Sequence, residues 1–232
     1  GQVEHYAARY TVVTVDLAGH GESGHGRRSW TMPAFGRDVV AVADRLALRD
    51  MVLVGHSMGG DVVVEVAQRI PDRVRGLVWV DTYRSLTRAD PEPEPDPEAA
   101  AFLAPFHADF AAATEAFVRR IAGRYADAEL VDRVAADMAA APPHIALDAM
   151  RYSVRNEPAA IDGLRRAAVP AVAINPAEPP TDVASLARFG VTAVCLARVG
   201  HFLMLEDPAG FNRLLDRTIE RFAALAAAAP GG

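Results

Sequence analysis

Met51-Val52-Leu53-Val54-Gly55-His56-Ser57-Met58-Gly59-Gly60 is the stretch on which the reading of this chain turns. Its first four residues are apolar and partly β-branched, which in so short a run predicts a buried strand. The run enters a serine flanked by glycines. After it, Val62, Val63, Val66, Ala67 and Ile70 recur at helical spacing until Pro71 ends the pattern. Strand, G-x-S-x-G turn and helix in direct succession are the setting in which a serine hydroxyl is pushed out at the carboxyl end of a sheet. Small neighbours let such a strained turn pack. The helix that begins there aims its positive end and its unpaired N–H groups at the same point, so the Met58 N–H is the natural donor to a developing oxyanion.

The same alternation extends in both directions. Upstream, Val12-Val13-Thr14-Val15 predicts a buried strand ending at Asp16, followed by the glycine-punctuated loop Leu17-Ala18-Gly19-His20-Gly21-Glu22-Ser23. A helix follows, with Thr31 as its cap, Pro33 in its first turn, and Phe35, Val39, Val42, Ala43 and Leu46 on its apolar face. Downstream, Leu77-Val78-Trp79-Val80 predicts a strand ending at Asp81, and 169–174 and 191–196 predict two more. A helix over about 207–228 closes the chain, burying Phe211, Leu214, Leu215, Ile219 and Phe222. This order predicts an α/β fold with a mostly parallel sheet covered by helices on both faces and a site at the carboxyl ends of the strands.

Residues 84–158 break the pattern. They carry no strand signal, open with the acidic run Asp90-Pro91-Glu92-Pro93-Glu94-Pro95-Asp96-Pro97, and continue as alanine-rich helical stretches. The expectation is a helical cap, 84–158, inserted into a core made of 1–83 and 159–232, with the proline run a stiff exposed linker. At 232 residues, 51% of them hydrophobic, one domain with an insertion accounts for the whole chain. Near the start of the cap, Phe102, Leu103, Phe106, Phe110 and Phe117 read as its internal core rather than as a ligand surface.

Composition excludes several classes. The formal charge of −6, with no block of Lys or Arg, argues against nucleic acid as a partner. No apolar run reaches membrane-spanning length, and the alanine-rich end is too short for that. Cys195 is the single cysteine, so the core cannot rely on an internal disulfide; its apolar neighbours Val194 and Leu196 predict a buried, inert thiol. A cytoplasmic location is the matching expectation. With Gly1 rather than Met in first place, a targeting segment would already be gone.

A serine hydroxyl needs a base to take its proton. Of seven histidines, His201 follows a predicted terminal strand and a glycine and precedes the last helix, which places it at the same sheet edge as Ser57. His56 adjoins the serine on a turn too tight for its side chain to reach the hydroxyl. His107 and His144 fall in the cap, and His5, His20 and His25 read as loop or surface residues.

Three stretches taken together resemble the α/β-hydrolase fold superfamily. Asp16-Leu17-Ala18-Gly19-His20-Gly21-Glu22-Ser23 resembles its D-x-x-G-x-G-x-S loop, Gly55-His56-Ser57-Met58-Gly59-Gly60 its nucleophile elbow, and Val199-Gly200-His201-Phe202 through Glu206-Asp207-Pro208 to Phe211-Asn212 its histidine loop and following helix. The resemblance implies a catalytic triad of Ser57, His201 and a carboxylate. The family usually sets its acid after the strand that follows the cap, where this chain reads Asn175-Pro176-Ala177-Glu178, with Asp182 too far along. Some members set it after the strand following the nucleophile helix, which here is Asp81, so Asp81 and Glu178 both stand as candidates. The family's second oxyanion donor comes from a loop after an earlier strand, and His20-Gly21 lies too late to be that loop, so the chain reads as lacking its first strands. The implied activity is hydrolysis of a carboxylic ester through an acyl-enzyme, on a small-molecule substrate with an apolar group and with no cofactor or metal. Lactone opening, carbon–carbon bond hydrolysis and cofactor-free haloperoxidation use a similar triad, and a non-catalytic ligand-binding protein on the same fold is the rival from another class. An Asp nucleophile, as a haloalkane dehalogenase needs, is absent at Ser57.

Overall fold

The computed structural model describes residues 1–87 and 96–228. Its elements run α1 (Gln2–Tyr6), α2 (Met32–Arg45), β1 (Met51–His56), α3 (Met58–Ala67), β2 (Val74–Val80), α4 (Pro97–Ala108), α5 (Phe110–Ile121), α6 (Ala128–Ala139), α7 (Pro143–Ser153), α8 (Glu157–Ala167), β3 (Ala171–Pro176), α9 (Val183–Ala187), β4 (Val191–Leu196), α10 (Leu203–Glu206) and α11 (Pro208–Ala228). The four strands form one sheet in the order β1-β2-β3-β4, every pair parallel. Parallel neighbours require a crossover over a sheet face, and α3, the helices between β2 and β3, and α9 supply them.

Alternation along β2 and β3 divides the interior in two. Leu77, Trp79, Ala171 and Ala173 pack against Val63, Val64 and Ala67 of α3 and Ile161 and Leu164 of α8. Val78, Val80, Val172 and Ile174 pack on the other face against Phe211, Leu215 and Phe222 of α11, with Tyr6 of α1. Both faces are therefore covered, as the near-continuous apolar strands predict. The closing helix approaches β2 at Gly76, where a β-carbon would come within 2.5 Å of the Phe222 ring.

Between β2 and β3, all five described elements are helices. Asp96 opens α4 by accepting from the Glu98 and Ala99 amides at 3.0 Å, while the proline run before it, 90–95, lies outside the described residues. Phe102, Phe106 and Phe117 join α4 to α5 with ring centroids 5.6–5.8 Å apart, the expected internal packing. The helix α7 lays Ile145 and Ala149 on Trp30, Met32, Phe35 and Val62.

Two expectations fail. Residues 12–15 form no strand and leave Val12, Val13 and Val15 36–39% exposed, because none of the described strands lies beside them to pair with their backbone. Cys195 is exposed rather than buried: β4 is the outer strand, paired on one side only, so an apolar sequence there does not guarantee cover.

A buried carboxylate joins α7 to the core. Asp61, in the first turn of α3, is 2% exposed and accepts from the Tyr83 hydroxyl at 2.7 Å and the Ser153 hydroxyl at 3.0 Å. Burial pushes its pKa up to about 6, against hydrogen bonds from Tyr83, Asn156 and Ser153 that favour the ionised form. The folded chain therefore takes up a proton there that the unfolded chain does not, and this group adds stability as pH falls through its folded value towards 3.8.

Two outcomes follow from this packing. In urea unfolding, Asp61→Asn is expected to gain on the parent by roughly 1 kcal/mol between about pH 5 and about pH 7.5, since only the parent carries the ionisation cost. Gly76→Ala is expected to lower the unfolding free energy by about 1–3 kcal/mol, because the Phe222 ring is held between helix and sheet and has no room to retreat.

Candidate active site

Ser57 stands between β1 and α3 with φ 52° and ψ −123°, a backbone conformation that a non-glycine residue adopts only when its surroundings impose it. The surroundings are visible. The Ser57 N–H donates to the Val80 carbonyl at 2.9 Å, extending the β1–β2 ladder through the turn, and the Thr82 hydroxyl donates to the Ser57 carbonyl at 3.1 Å. A β-carbon on Gly55 would fall 2.2 Å from the Gly59 carbonyl oxygen, and one on Gly60 would fall 2.0 Å from the Thr82 hydroxyl. Gly59 itself faces open space, so the tight second glycine is Gly60 rather than the one in the five-residue pattern. Met58 is the first residue of α3, and its amide has no carbonyl one turn back to bind.

Asp81 ends β2 beside this turn, and it too has positive φ, 44°. Its side chain is 5% exposed. Its Oδ2 lies 2.8 Å from His201 Nδ1, and the Arg84 guanidinium straddles both oxygens, 3.0 Å from Oδ1 and donating to Oδ2 at 3.2 Å. Arg84 also donates to the Pro179 carbonyl, so it ties the end of β2 to the loop after β3. Glu178, the other candidate acid, sits in that loop with its side chain 77% exposed and its carboxylate 3.9 Å from Arg124. The fold therefore brings Asp81 to His201 and turns Glu178 towards solvent. Asn175, one strand over, is fully buried and donates to the Tyr83 carbonyl and the Thr181 hydroxyl, each at 3.0 Å.

His201 is held from several sides. Its own amide donates to the Ile121 carbonyl at the end of α5, 2.9 Å away. The Glu206 carboxylate accepts from the amides of Gly200, at 2.7 Å, and Phe202, at 3.3 Å, and from Gly123 at 3.2 Å in the turn after α5. One side chain thus clasps the histidine loop and the helical segment above it. The approach is close enough that a β-carbon on Gly200 would meet the Gly123 nitrogen at 2.1 Å. His56 packs its ring against His201, centroids 4.4 Å apart, and donates from Nε2 to the His201 carbonyl at 2.8 Å. Burial, and then the neighbouring His201, lower the His56 pKa to about 4, so at neutral pH it is an uncharged strut. Among the described residues, the Ser57 hydroxyl has no hydrogen bond.

Sequence reading missed Arg84, Glu206 and the bracing role of His56. Arg84 had no signal, because an arginine three residues past a strand end is ordinary. Glu206 lay within the quoted histidine-loop stretch, but its three amide donors come from two segments about eighty residues apart. The loop after Asp16 is closed as its glycines predict: Asp16 accepts from the Glu22 amide at 3.0 Å, and Gly21, at φ 51°, leaves no room for a β-carbon against that carboxylate.

A cavity of about 770 Å³ opens beside Asp81 and His201, beneath the turn after α5. No group of three or more His, Cys, Asp or Glu among the described residues is placed to hold a metal ion. No described helix is long and apolar enough to cross a membrane.

The family model described as alpha/beta hydrolase fold matches residues 1–130. A carbendazim hydrolyzing esterase of Nocardioides is 35% identical over 107 residues, 44% of each chain, so the match spans less than half of that relative. Among solved structures, a thermophilic esterase from Thermogutta terrifontis superposes with a TM-score of 0.75 at 23% identity, over 95% of this chain and 84% of that one. An enzyme described as degrading N-acyl homoserine lactone, Est816, gives a TM-score of 0.68 at 26% identity, over 86% and 79%. With a parallel sheet clothed on both faces, a strained serine turn at a strand end and a family match over more than half its length, this chain belongs to the α/β-hydrolase fold family.

Proposed function

We propose that the chain hydrolyses carboxylic esters through an acyl-enzyme on Ser57. The observation that carries this is the 2.8 Å contact between His201 Nδ1 and buried Asp81, beside a serine held in a strained turn. With Nδ1–H given to the carboxylate, the imidazole keeps its basic lone pair on Nε2. Ser57 Oγ passes its proton to Nε2 as it attacks the ester carbon, and the oxyanion forms against the Met58 N–H. The tetrahedral intermediate collapses as His201 returns the proton to the leaving alkoxide, which departs as an alcohol. Water then repeats the sequence on the acyl-enzyme and releases the acid. Asp81 orients the ring and stabilises the imidazolium, Arg84 holds Asp81, and Glu206 and His56 hold the loop that carries the ring.

The esterase of Nocardioides supports an ester or a related acyl group as substrate. Est816 supports a lactone, which is an ester closed on itself and opens by the same steps. An apolar group on the substrate and a location in the cytoplasm remain part of this reading.

The test is labelling with a fluorophosphonate probe, followed by turnover of a short-chain aryl ester. The parent is expected to label and Ser57→Ala is not. A folded parent that resists the probe would overturn the reading and leave a ligand-binding role on the same fold. Among the carboxylates, Asp81→Asn is expected to lower kcat/KM by about 10³- to 10⁴-fold, because it removes the acceptor that sets the tautomer, whereas Glu178→Gln is expected to change it by less than about threefold. The opposite ranking would move the acid to Glu178.

A further inference from the structure

We propose that Thr82 is the positioning residue of the oxyanion donor: its hydroxyl fixes the peptide plane between Ser57 and Met58 so that the Met58 N–H faces the reacting centre. The proposal rests on the ester reading above and adds a residue that acts through the backbone rather than on the reacting atoms. It starts from one bond, given by the Thr82 hydroxyl to the Ser57 carbonyl at 3.1 Å. That carbonyl and the Met58 N–H are the two ends of a single peptide unit. The unit is trans, since the only cis bond among the described residues joins Glu178 to Pro179. A trans peptide is planar and sends its C=O and N–H in opposite directions, so whatever holds the oxygen also aims the hydrogen.

The Ser57 backbone needs such a hold. At φ 52° and ψ −123° it lies outside the regions open to a residue with a side chain. Turning ψ to about +50° would bring it into the left-handed helical region, which is less strained, and would swing the Met58 N–H away from the serine. Two features of α3 resist that turn, the helical start at Met58 and the Gly60 amide, which also donates to the Ser57 carbonyl at 2.9 Å. Both fix the peptide only relative to its own helix.

Thr82 ties it to the sheet. The residue before it is Asp81, whose carboxylate lies 2.8 Å from His201 Nδ1. Two consecutive residues therefore register the two halves of the site, Asp81 the imidazole and Thr82 the oxyanion peptide. The fit is close: a β-carbon on Gly60 would lie 2.0 Å from Thr82 Oγ1 and 2.6 Å from its Cγ2, so glycine at 60 is what lets the threonine approach. Trp79, earlier on β2, donates from Nε1 to the Gly60 carbonyl at 3.0 Å, a second tie between β2 and the first turn of α3. A donor on the Ser57 oxygen also polarises the peptide and makes its N–H a stronger donor. Without Thr82 the carbonyl keeps its bond from Gly60, so loss of the hydroxyl leaves no orphaned acceptor and falls on the transition state more than on the fold.

The experiment compares Thr82→Val, which keeps the shape and loses the hydroxyl, with Thr82→Ser, which keeps the hydroxyl. Each is assayed on 4-nitrophenyl butyrate and inhibited with an aryl trifluoromethyl ketone, whose carbonyl becomes an oxyanion when the serine oxygen adds to it and the serine proton passes to His201. Thr82→Val is expected to lower kcat by about tenfold with KM changed by less than about threefold, and to weaken the inhibitor by the same factor as kcat/KM. Thr82→Ser is expected to stay within about threefold of the parent on every count. In ¹⁵N-labelled protein the Met58 amide resonance is expected to move in Thr82→Val and to return in Thr82→Ser. Should the valine variant not fold, Thr82→Ala removes the same hydroxyl and takes its place. Equal activity of Thr82→Val and Thr82→Ser, or a loss confined to KM, would overturn the proposal while fluorophosphonate labelling of the parent left the ester reading intact. If the parent neither labels nor turns over an ester, that reading fails by itself, and the Met58 resonance still decides whether Thr82 holds the peptide: a resonance unchanged in Thr82→Val refutes it.

Discussion

The parallel pairing of β1 with β2 is the constraint on which the site depends. In-register pairing of His56 with Val80 makes Ser57 and Asp81 the next residues at two adjacent strand ends. Both then leave the sheet through backbone at positive φ, and both keep one foot in it, Ser57 donating to Val80 and Asp81 to Ile174. Those ladder bonds hold two strained residues in place, and the large apolar area buried on both sheet faces stabilises the strands that carry them. A slip of one residue would turn the core side chains of β2 outward as well as separate the pair.

A second layer of bonds carries this rigidity to the histidine. His201 lies in a loop, where a side chain is ordinarily free to move, yet its backbone is tied to α5 through the Ile121 carbonyl and its neighbours are gathered by Glu206. Because Glu206 also takes the Gly123 amide, the turn after α5 helps to position the loop that carries His201. Asp61, one turn along α3 from Ser57, ties α7 to the core by holding Ser153. Cover and core are thus joined by buried polar contacts that leave few groups unsatisfied.

The walls of the cavity belong to the same joint. The turn after α5 that supplies Gly123 and the Ile121 carbonyl also supplies Arg124 and Tyr125, and the loop that carries His201 carries Arg198.

The strands β1, β2, β3 and β4 and the strained turn at Ser57 were legible in the amino-acid sequence, because each rests on neighbours within a few residues: apolar runs and glycines beside a serine. Where the outcome depended on partners far along the chain, local pattern was not enough. Residues 12–15 have the composition of a strand but no partner beside them, and Cys195 has apolar neighbours but stands on an edge strand. Asp81 and Glu178 both stand as candidate acids in one dimension. Only the folded chain separates them, since it is the packing of β2 beside β1, and the loop after β4 folding back over both, that sets Asp81 2.8 Å from His201 and leaves Glu178 in water. Sequence alone determined which residue types could do chemistry and on which elements they ride; tertiary structure decided which of them meet, because contacts between residues more than a hundred positions apart are set by the burial of whole sheet faces and not by any local preference.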